Sequence, residues 1–542
     1  MICNMTSGLE IRIEKARILR EAGHDPYHPA RFNRTDYVSG LKSKYDSANS
    51  QEQSAEEVAI GGRVTAIRNM GKSLFLNIED QTGSIQVYVR KDQLGDDSYK
   101  LLKGCLDIGD WLGVNGNVMR TKSGELSLAT QSYRFLTKAI RPLPLGKESE
   151  TGTYNRLEDP EIIYRQPEVG MATDRVRFET LRKRARIIRA VRENLWNKGF
   201  DETDTPVIET VYGGANARPF TTEVNALGGL KTFLRISLEL PLKRLIAGGF
   251  DGVFHLGHVF RNEGIDRNHN PEFSLLEVYK AMWDYNDIMN LTEEIIVDAA
   301  EKVNGTTEVR YGSQKIDLAR PWRRITMKQS LEEFAGLNVD SKNTVELQAI
   351  AAKHNADILQ KAGISLDTTD ADLVEKVLAY NQGLAGKEGK IPLDVPRGNL
   401  IAYLFEELVE SKLINPTFVT DHPKETSPLC KLHRDNPELI ERFELYANGW
   451  ELANAYSELN DPVLQRQLLE GQAAELRSGN DEAMPFDEAF VRAIEYGMPT
   501  TGGLGIGIDR LVMLLTAKDW TEDSPPTIRD VIFFPLMKPE NY

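Results

Sequence analysis

The chain has 542 residues, of which 41% are hydrophobic and 27% charged, a composition typical of a soluble protein of several domains with an ample core. Its three cysteines lie far apart without a Cys-x-x-Cys pair, which argues against a zinc site or disulfide framework and predicts a reducing, cytoplasmic location. The sequence contains neither an apolar run of about 18 residues nor a signal-peptide core, so a membrane protein is excluded.

Residues 1–55 are predicted to form a helix and a connector. The helix covers residues 9–22, where Ile11, Ile18 and Leu19 have helical spacing, and Gly23 closes it. The polar segment that follows is rich in Ser, Asn, Gln and Glu, which predicts a loosely packed connector. We expect the helix to pack on its own domain rather than to form a separate RNA-binding element.

Residues 56–145 show short alternating strands between glycine turns, a pattern typical of a Greek-key barrel of the OB type with an internal helix at 96–104. The whole chain has a net charge of −15, but this segment contains more Lys and Arg than Asp and Glu, which permits an RNA-binding face. Phe75, Gln86 and Glu125 provide a stacking ring and groups that read base edges. Spacing alone favours a core phenylalanine and two solvated polar side chains at these positions.

Residues 146–172, rich in Pro, Gly and charge, predict a linker, and residues 173–542 predict one large domain of antiparallel strands and helices. The expected fold class is therefore α+β. A basic helix over residues 175–198 opens this domain and presents one apolar face, formed by Phe178, Leu181, Ala185, Ile188 and Leu195. Apolar residues at helical spacing predict an inserted helical bundle at about 340–395.

Residues 260–273, FRNEGIDRNHNPEF, lie between two apolar strand-like segments and predict an antiparallel hairpin with a charged loop. Side chains alternate along a strand, so Arg261 and Glu263 are expected on one face. A cation and an anion on a rigid sheet, beside Phe273, suit a nucleotide. A surface ion pair is the alternative interpretation.

Residues 500–515, TTGGLGIGIDRLVMLL, predict a glycine-rich strand that runs into an apolar helix. Glycines let a backbone pass close to a ligand, and Arg510 stands where strand and helix meet. Glycine-rich turns also occur as plain strand breakers.

These two segments resemble motifs 2 and 3 of the class II aminoacyl-tRNA synthetases, and the long helix with Pro206 after it resembles motif 1. Six ordered segments make the chain similar to the class II lysyl-tRNA synthetases nearly end to end: VYGGANARPFTT, LRISLELPLKRLIAGGF, FRNEGIDRNHNPEF, HPKETSPLCK, FELYANGWELANAYSELNDP and GLGIGIDR. The resemblance implies an N-terminal OB-type barrel and a class II antiparallel-sheet catalytic domain with a helical insertion. It also implies a homodimer, since the motif 1 helix leads to a dimer interface in this family.

The resemblance assigns the ATP site residue by residue. Arg261 would bind the α-phosphate and the amino-acid carboxylate, and Glu263 would accept from the adenine amine. His269 would approach the outer phosphates and Asn270 the adenine, while Phe273 and Arg510 would sandwich the ring. The residues in catalytic roles would be Arg261, Glu263, His269 and Arg510. Glu444 and Glu451 match the acids that hold Mg²⁺ on ATP, an ion that prefers oxygen ligands.

The resemblance also assigns a lysine pocket. A buried ammonium needs a carboxylate, because an unpaired buried charge costs several kcal/mol. Glu458 would bind the ε-ammonium with Tyr279 as its hydrogen-bonding neighbour. Gly214 and Glu239 match positions near the α-amino group, and the other matching positions are Glu277, Asn454 and Tyr456.

The implied reaction has two steps. The lysine carboxylate attacks the α-phosphorus of ATP and forms lysyl-adenylate and pyrophosphate; the terminal ribose hydroxyl of tRNA(Lys) then takes the lysyl group. Positioning and electrostatic stabilisation carry both steps, since the reaction needs no protein nucleophile. Phe75, Gln86 and Glu125 match the positions that read the central anticodon uridine.

Some positions depart from the family pattern and leave the shape of the amino-acid pocket open: Asn216, Glu223, Val224, Gly228, Gly229, Ser237, Leu238, His255 and His258. Two alternatives remain. A related enzyme for aspartate or asparagine would surround the side-chain pocket with basic residues, whereas this pocket is acidic. A paralogue that passes lysine to a protein or small molecule often lacks the barrel.

Overall fold

The computed structural model describes residues 2–28, 31–45, 54–149, 152–157, 159–384, 390–480 and 482–540. It divides into two compact units, Met1–Arg175 and Val176–Tyr542. Within the described ranges, no helix is long and apolar enough to cross a membrane.

The first unit is built around a closed five-stranded barrel. The barrel strands are β1 (Glu57–Asn69), β2 (Ser73–Asp80), β3 (Gly83–Arg90), β4 (Trp111–Arg120) and β5 (Leu126–Thr137). Two further strands, β6 (Leu145–Ser149) and β7 (Gly152–Arg156), form a separate two-stranded sheet. The helices of this unit are α1 (Ile2–Glu21), α2 (Val38–Tyr45), α3 (Lys91–Leu94), α4 (Asp96–Cys105), α5 (Pro160–Arg165) and α6 (Pro167–Thr173). The barrel order β1-β2-β3-β5-β4, with α4 between β3 and β4, confirms the predicted OB-type barrel.

Alternation along β2 decides which side chains fill the barrel. Leu74, Leu76 and Ile78 are fully buried in its core, whereas Phe75 and Asn77 lie on the opposite face and are partly exposed. Phe75 is therefore not a core residue, and the alternative that spacing alone favoured for it is wrong.

The N-terminal segment packs more closely than expected. Helix α1 buries Ala16 and Leu19, and Lys15 forms an ion pair with Asp107 at 2.6 Å, so the helix packs on its own unit. The prediction of a loosely packed connector is wrong for the first part of this segment, because α2 buries Val38 and Leu41. The remainder of the predicted connector, residues 46–53, lies outside the described residues.

The second unit is organised around an eight-stranded sheet. The strands of this unit are β8 (Asp201–Glu202), β9 (Ile208–Glu209), β10 (Thr221–Val224), β11 (Leu230–Leu234), β12 (Gly252–Phe260), β13 (Glu272–Ala281), β14 (Glu308–Tyr311), β15 (Gln314–Asp317), β16 (Arg323–Thr326), β17 (Thr417–Pro423), β18 (Leu439–Ala447), β19 (Trp450–Ser457) and β20 (Thr501–Gly507). The sheet order is β16-β17-β18-β19-β20-β13-β12-β8, and its central strands are antiparallel. This confirms the predicted α+β class with an antiparallel catalytic sheet.

Helices cover this sheet and extend from it. They are α7 (Arg175–Asn197), α8 (Glu239–Ala247), α9 (Tyr285–Asn304), α10 (Met327–Ala335), α11 (Thr344–His354), α12 (Ala356–Lys361), α13 (Asp370–Gly383), α14 (Arg397–Leu408), α15 (Pro462–Arg477), α16 (Glu488–Glu495), α17 (Ile508–Thr516) and α18 (Ile528–Val531). The main core lies between the sheet and α7, α9 and α17, and it includes Trp450, whose ring meets Tyr311 edge-on at 4.9 Å. The predicted insertion contains α11, α12 and α13, which share a second core with α10 and α14.

Helix α7 buries only part of the face that its apolar residues suggested: Leu181 and Leu195 are buried as predicted. Ala185 is exposed and Ile188 is only partly buried, whereas Arg184 is buried. Arg184 forms an ion pair with Asp509 and donates a hydrogen bond to the Ser274 hydroxyl at 2.8 Å, and these contacts turn its side chain inward. A count of apolar residues alone misses such a buried ion pair.

Candidate active site

One face of the large sheet carries a cavity of about 440 Å³. The register of three neighbouring strands builds its floor: Gly503 of β20 lies between Tyr279 and Tyr456, and Gly505 lies between Glu277 and Asn454. Because side chains alternate, the intervening residues of β13, β19 and β20 point into the core. Because glycine has no side chain, Gly503 and Gly505 leave a channel between the polar side chains of β13 and those of β19.

Arg261 and Glu263 follow the end of β12 instead of lying within a strand. The Glu263 amide donates to the Arg261 carbonyl at 2.9 Å, a tight turn that ends the strand alternation. The prediction that they share a strand face is therefore wrong, although both line the cavity. The Arg261 guanidinium lies 5.1 Å from the centre of the Phe273 ring, and its Nε donates to the Ile236 carbonyl at 3.3 Å.

Arg510 stands at the start of α17, on the wall of the cavity. It donates to the Glu451 carbonyl at 2.7 Å and lies 2.9 Å from Nε2 of His269, whose Nδ1 is 2.7 Å from Asp266. The structure thus places Arg261, rather than Arg510, against Phe273. Asn270 also lines this end, and its buried Oδ1 has no hydrogen-bond partner among the described residues.

Glu444 and Glu451 lie on the neighbouring strands β18 and β19, and both line the cavity. Burial tends to raise the pKa of Glu444, but the Arg442 guanidinium beside it holds that pKa below its usual value. Burial and the nearby Glu444 carboxylate raise the pKa of Glu451. Two carboxylates that repel each other in a half-closed site suit a divalent cation that also takes phosphate oxygens.

The opposite end of the cavity is acidic. Glu277 is buried, and its Oε1 accepts from the Ser237 hydroxyl at 2.7 Å and the Leu238 amide at 2.9 Å. Its Oε2 accepts from the Tyr279 hydroxyl at 3.0 Å. Burial, and then the nearby Glu239 carboxylate, raise the pKa of Glu277 to about 7.

Glu458 is 1% exposed and contacts a residue that the sequence did not single out, Lys243 of α8. The Lys243 ammonium is fully buried, bridges the carboxylates of Glu458 and Glu239, and lies 2.5 Å from the latter. Oε1 of Glu458 has no hydrogen-bond donor among the described residues. Tyr279 donates to Glu277 rather than to Glu458, although both side chains flank Gly503.

The sequence interpretation did not identify Lys243 as a site residue, although its spacing from Glu239 could have indicated it. Glu239 and Lys243 are four residues apart on one helix, the spacing at which opposite charges meet. Gly214, also on the cavity wall, has φ +85°, and a Cβ there would come within 2.8 Å of the Ser237 hydroxyl. The departures at Ser237 and Leu238 thus contact the acidic end directly.

The three remaining site residues lie in the barrel of the first unit. The Phe75 ring stacks on Tyr88 with centres 4.7 Å apart. Gln86 is 6% exposed, and its amide donates to Glu125 at 2.8 Å, while its oxygen accepts from Ser127 at 2.9 Å. A partly exposed ring therefore lies beside an ordered amide and a carboxylate, which is a surface able to stack and read a base.

The fold and this site together define a class of protein. The chain matches the family of class II tRNA synthetases (D, K and N) over residues 159–538 and the OB-fold nucleic acid binding domain over residues 58–136. The chain belongs to the class II tRNA synthetases.

Its relatives are more particular. The chain is 43% identical to the "Lysine--tRNA ligase" of Thermoanaerobacter sp., with 98% of this chain and 96% of the relative covered. It is 43% identical to the protein of the same name from Methanoculleus marisnigri (97% and 94% covered) and 44% identical to that from Trichormus variabilis (98% and 87% covered).

Proposed function

We propose that this chain is a lysine–tRNA ligase: it activates L-lysine with ATP and transfers the lysyl group to the 3′ end of tRNA(Lys). The observation that carries the proposal is the polarity of one cavity. Arg510 lines one end, three buried carboxylates, Glu239, Glu277 and Glu458, line the other, and Arg261 lies between them, where both Glu451 and Glu277 act on its charge. An anionic nucleotide and a cationic amino acid fit side by side in such a cavity.

The arginine end suits ATP. Arg261 stands between the two ends, so its planar guanidinium is able to bridge the α-phosphate and the lysine carboxylate. Phe273 would stack on one face of the adenine and Arg510 would cover the other face. Asn270 and Glu263 provide the oxygens for the adenine amine. His269, on the loop beside Arg510, is placed for the outer phosphates.

Glu444 and Glu451 are the residues that would hold Mg²⁺. They fit it, because Mg²⁺ commonly takes one or two protein carboxylates together with substrate phosphates. The bound ion supplies positive charge to the phosphate oxygens. Arg442 keeps Glu444 ionised, and Arg510 holds the Glu451 backbone in place.

The chemistry follows from positioning. Arg261 orients the lysine carboxylate towards the α-phosphorus and stabilises the charge that develops on the phosphorus oxygens. The new carboxyl–phosphate bond forms as the bond to pyrophosphate breaks. In the second step, the ribose hydroxyl of tRNA attacks the lysyl carbonyl and AMP leaves.

The acidic end selects lysine. Oε1 of Glu458 is buried without a donor among the described residues, which makes it the acceptor for the ε-ammonium. Glu239 is the first residue of α8 and Gly214 lies beside it, so both would be close to the α-ammonium of the bound lysine. The stem of the substrate would lie between Tyr279 and Tyr456 over Gly503, with Asn454 and Glu277 in the neighbouring row.

The decisive experiment is ATP–pyrophosphate exchange measured with each of the twenty amino acids. We expect exchange with lysine and close to none with aspartate or asparagine, because their carboxylate and amide meet acids in this cavity. Exchange with aspartate instead of lysine would overturn the proposal. Charging of tRNA(Lys) with radioactive lysine separates the tRNA ligase from a paralogue that uses another acceptor.

We further propose that the protein is a cytoplasmic homodimer. The small sheet β10-β11-β9 of the second unit leaves large apolar side chains exposed, among them Ile208 (52%) and Leu230 (42%). Apolar side chains grouped on a surface mark a protein interface. Light scattering should give about twice the 61.0 kDa of one chain, and a mass of one chain at micromolar concentration would contradict the dimer.

A further inference from the structure

A cation that belongs to the chain lies directly behind the acidic end of the cavity. Lys243 has no exposed side-chain surface, and its ammonium bridges Glu239 and Glu458. Its Nζ lies 5.3 Å from the centre of the Tyr456 ring and 5.9 Å from that of Phe490. Carboxylates and aromatic faces enclose the ammonium, which makes it a fixed cation behind Glu239 and Glu458, the two carboxylates that line the cavity.

The bridge joins the two ends of the predicted lysine site. Glu239 lies near the place for the α-ammonium, and Glu458 is the acceptor for the ε-ammonium. Lys243 contacts Oε2 of Glu458 and leaves Oε1 without a donor among the described residues. Glu277 accepts from Ser237, Leu238 and Tyr279, and so it contributes charge with its orientation already fixed.

The charges around the amino-acid site can be counted: four of them are buried, and Arg261 is partly buried. The acidic residues Glu239, Glu277 and Glu458 contribute three negative charges, whereas Lys243 and Arg261 contribute two positive ones. A bound amino acid with one net positive charge makes the whole neutral. Without Lys243, neutrality would require a ligand with two net positive charges, and a buried unbalanced charge is strongly unfavourable.

We propose that Lys243 is a specificity-determining residue, whose ammonium sets the charge of the site so that it matches an amino acid of net charge +1. The inference rests on the proposed lysine activation and adds to it a residue with no part in ATP binding. Neutral isosteres such as norleucine leave one carboxylate unbalanced. Diamines that lack the carboxylate, such as cadaverine, bring one positive charge too many.

The test compares the binding of L-lysine and cadaverine to the full-length protein by calorimetric titration. In Lys243→Met, which keeps an unbranched side chain one atom shorter and removes its charge, lysine should bind about a hundredfold more weakly, as expected for a buried carboxylate that loses its cation. Cadaverine should lose far less, because the variant site balances its second charge. The preference for lysine over cadaverine should therefore fall by about tenfold or more.

Lys328→Met is the matched control. Lys328 belongs to the same unit and forms an exposed ion pair with Asp340 at 2.6 Å, so its removal should leave the preference unchanged. Glu239→Gln tests the same count in the opposite direction and does not depend on the folding of Lys243→Met. This variant should increase the preference for lysine over cadaverine, since both ligands lose the same contact at Glu239 but cadaverine then carries a larger excess of positive charge.

Equal losses of lysine and cadaverine affinity in Lys243→Met would overturn the proposal, as would an unchanged preference in Glu239→Gln. Failure of the proposed function would look different. In that case, the unmodified protein would not bind lysine and would support no lysine-dependent pyrophosphate exchange.

Discussion

Arg261 determines what the cavity can do at the scale of one residue. Burial lowers its pKa, but the carboxylates of Glu263, Glu451 and Glu277 offset this effect, so the guanidinium stays charged between the two ends. Among the described residues, its recorded side-chain hydrogen bond uses Nε, which leaves the two outer nitrogens for a ligand. This geometry supports the proposed role of Arg261 in binding both the nucleotide and the amino acid.

Replacing Arg261 with alanine should lower lysine-dependent pyrophosphate exchange by about a thousandfold, because a preorganised cation at the reacting phosphate is lost. The melting temperature should change little. Arg466→Ala is the control: Arg466 pairs with Glu488 and Glu495 on the surface of the same unit, and its loss should spare exchange. Exchange within tenfold of normal in Arg261→Ala would contradict the assigned role.

Glu277 should make lysine binding pH-dependent. Its pKa in the empty site is about 7, since burial and Glu239 disfavour the charged form. Bound ammonium groups favour that form, so below pH 7 binding must expel a proton. The KM for lysine should rise by about tenfold per pH unit below 7 and level off above it. The charged and titratable groups that bear on Glu277 are Glu209, Arg235, Glu239, Arg261, Tyr279 and Glu458.

Glu277→Gln provides the control for this pH dependence. The amide does not titrate, so the slope of the lysine KM below pH 7 should disappear, whereas the KM for ATP should follow the same profile in both proteins. A slope that persists in Glu277→Gln would assign the titration to another of these groups.

At the scale of elements, strand β20 sets the shape of the amino-acid site. A Cβ at Gly503 would lie 1.9 Å from Oε1 of Glu458 and 2.7 Å from a ring carbon of Tyr279, both of which line the cavity. A Cβ at Gly505, on the same face of the same strand, would have only the Asn454 carbonyl oxygen at 3.7 Å. A side chain is therefore excluded at Gly503 by its neighbours, whereas Gly505 has room for a methyl group.

Gly503→Ala should raise the KM for lysine by about a hundredfold or more, because a methyl group displaces the carboxylate that meets the ε-ammonium. Gly505→Ala should change it by less than about threefold, because its methyl group makes only ordinary contacts. Steady-state exchange kinetics measure both. Similar KM values in the two variants would refute the placement of the side-chain pocket over Gly503.

Patterns within elements predicted much of the fold. The glycines of β20 and the hairpin of β12 and β13 were visible in the sequence, and the antiparallel sheet and the OB-type barrel are confirmed. The face of β2 that carries Phe75 was not. Contacts between distant residues were not visible: α2 in the predicted connector depends on burial of Val38 and Leu41, and the face of α7 depends on Asp509, far along the chain. Local spacing cannot reveal partners that only the fold brings together.

At the scale of the whole molecule, the proposed tRNA-reading residues and the proposed catalytic residues lie in different units. The barrel presents Phe75, stacked on Tyr88, with Gln86 and Glu125 beside it, and the sheet of the second unit holds the cavity. The class of the protein was predictable because six motifs occur in order, and the matched family confirms it. The relatives named "Lysine--tRNA ligase" support the proposed specificity for lysine. The spacing of Glu239 and Lys243 on one helix was visible in the sequence. The contact of Lys243 with Glu458 was not, because these two residues are far apart along the chain and only the fold brings them together.

Phe75→Ala should separate the two activities. Loss of one stacked base should lower kcat/KM for tRNA(Lys) charging by about tenfold to a hundredfold and leave lysine-dependent pyrophosphate exchange intact. Trp111→Ala, which removes another partly exposed ring of the barrel, is the control and should spare both activities. Parallel loss of charging and exchange in Phe75→Ala would argue against a role in anticodon reading.

The position of Trp450 has a practical consequence. Its indole stands directly before Glu451 in β19, buried against Tyr311. Titration with a divalent ion and ATP should therefore change the native fluorescence of this ring, and Trp450→Phe identifies its share among the six tryptophans. A signal that Trp450→Phe removes would make this core ring an unlabelled optical reporter for stopped-flow observation of ligand binding at Glu451.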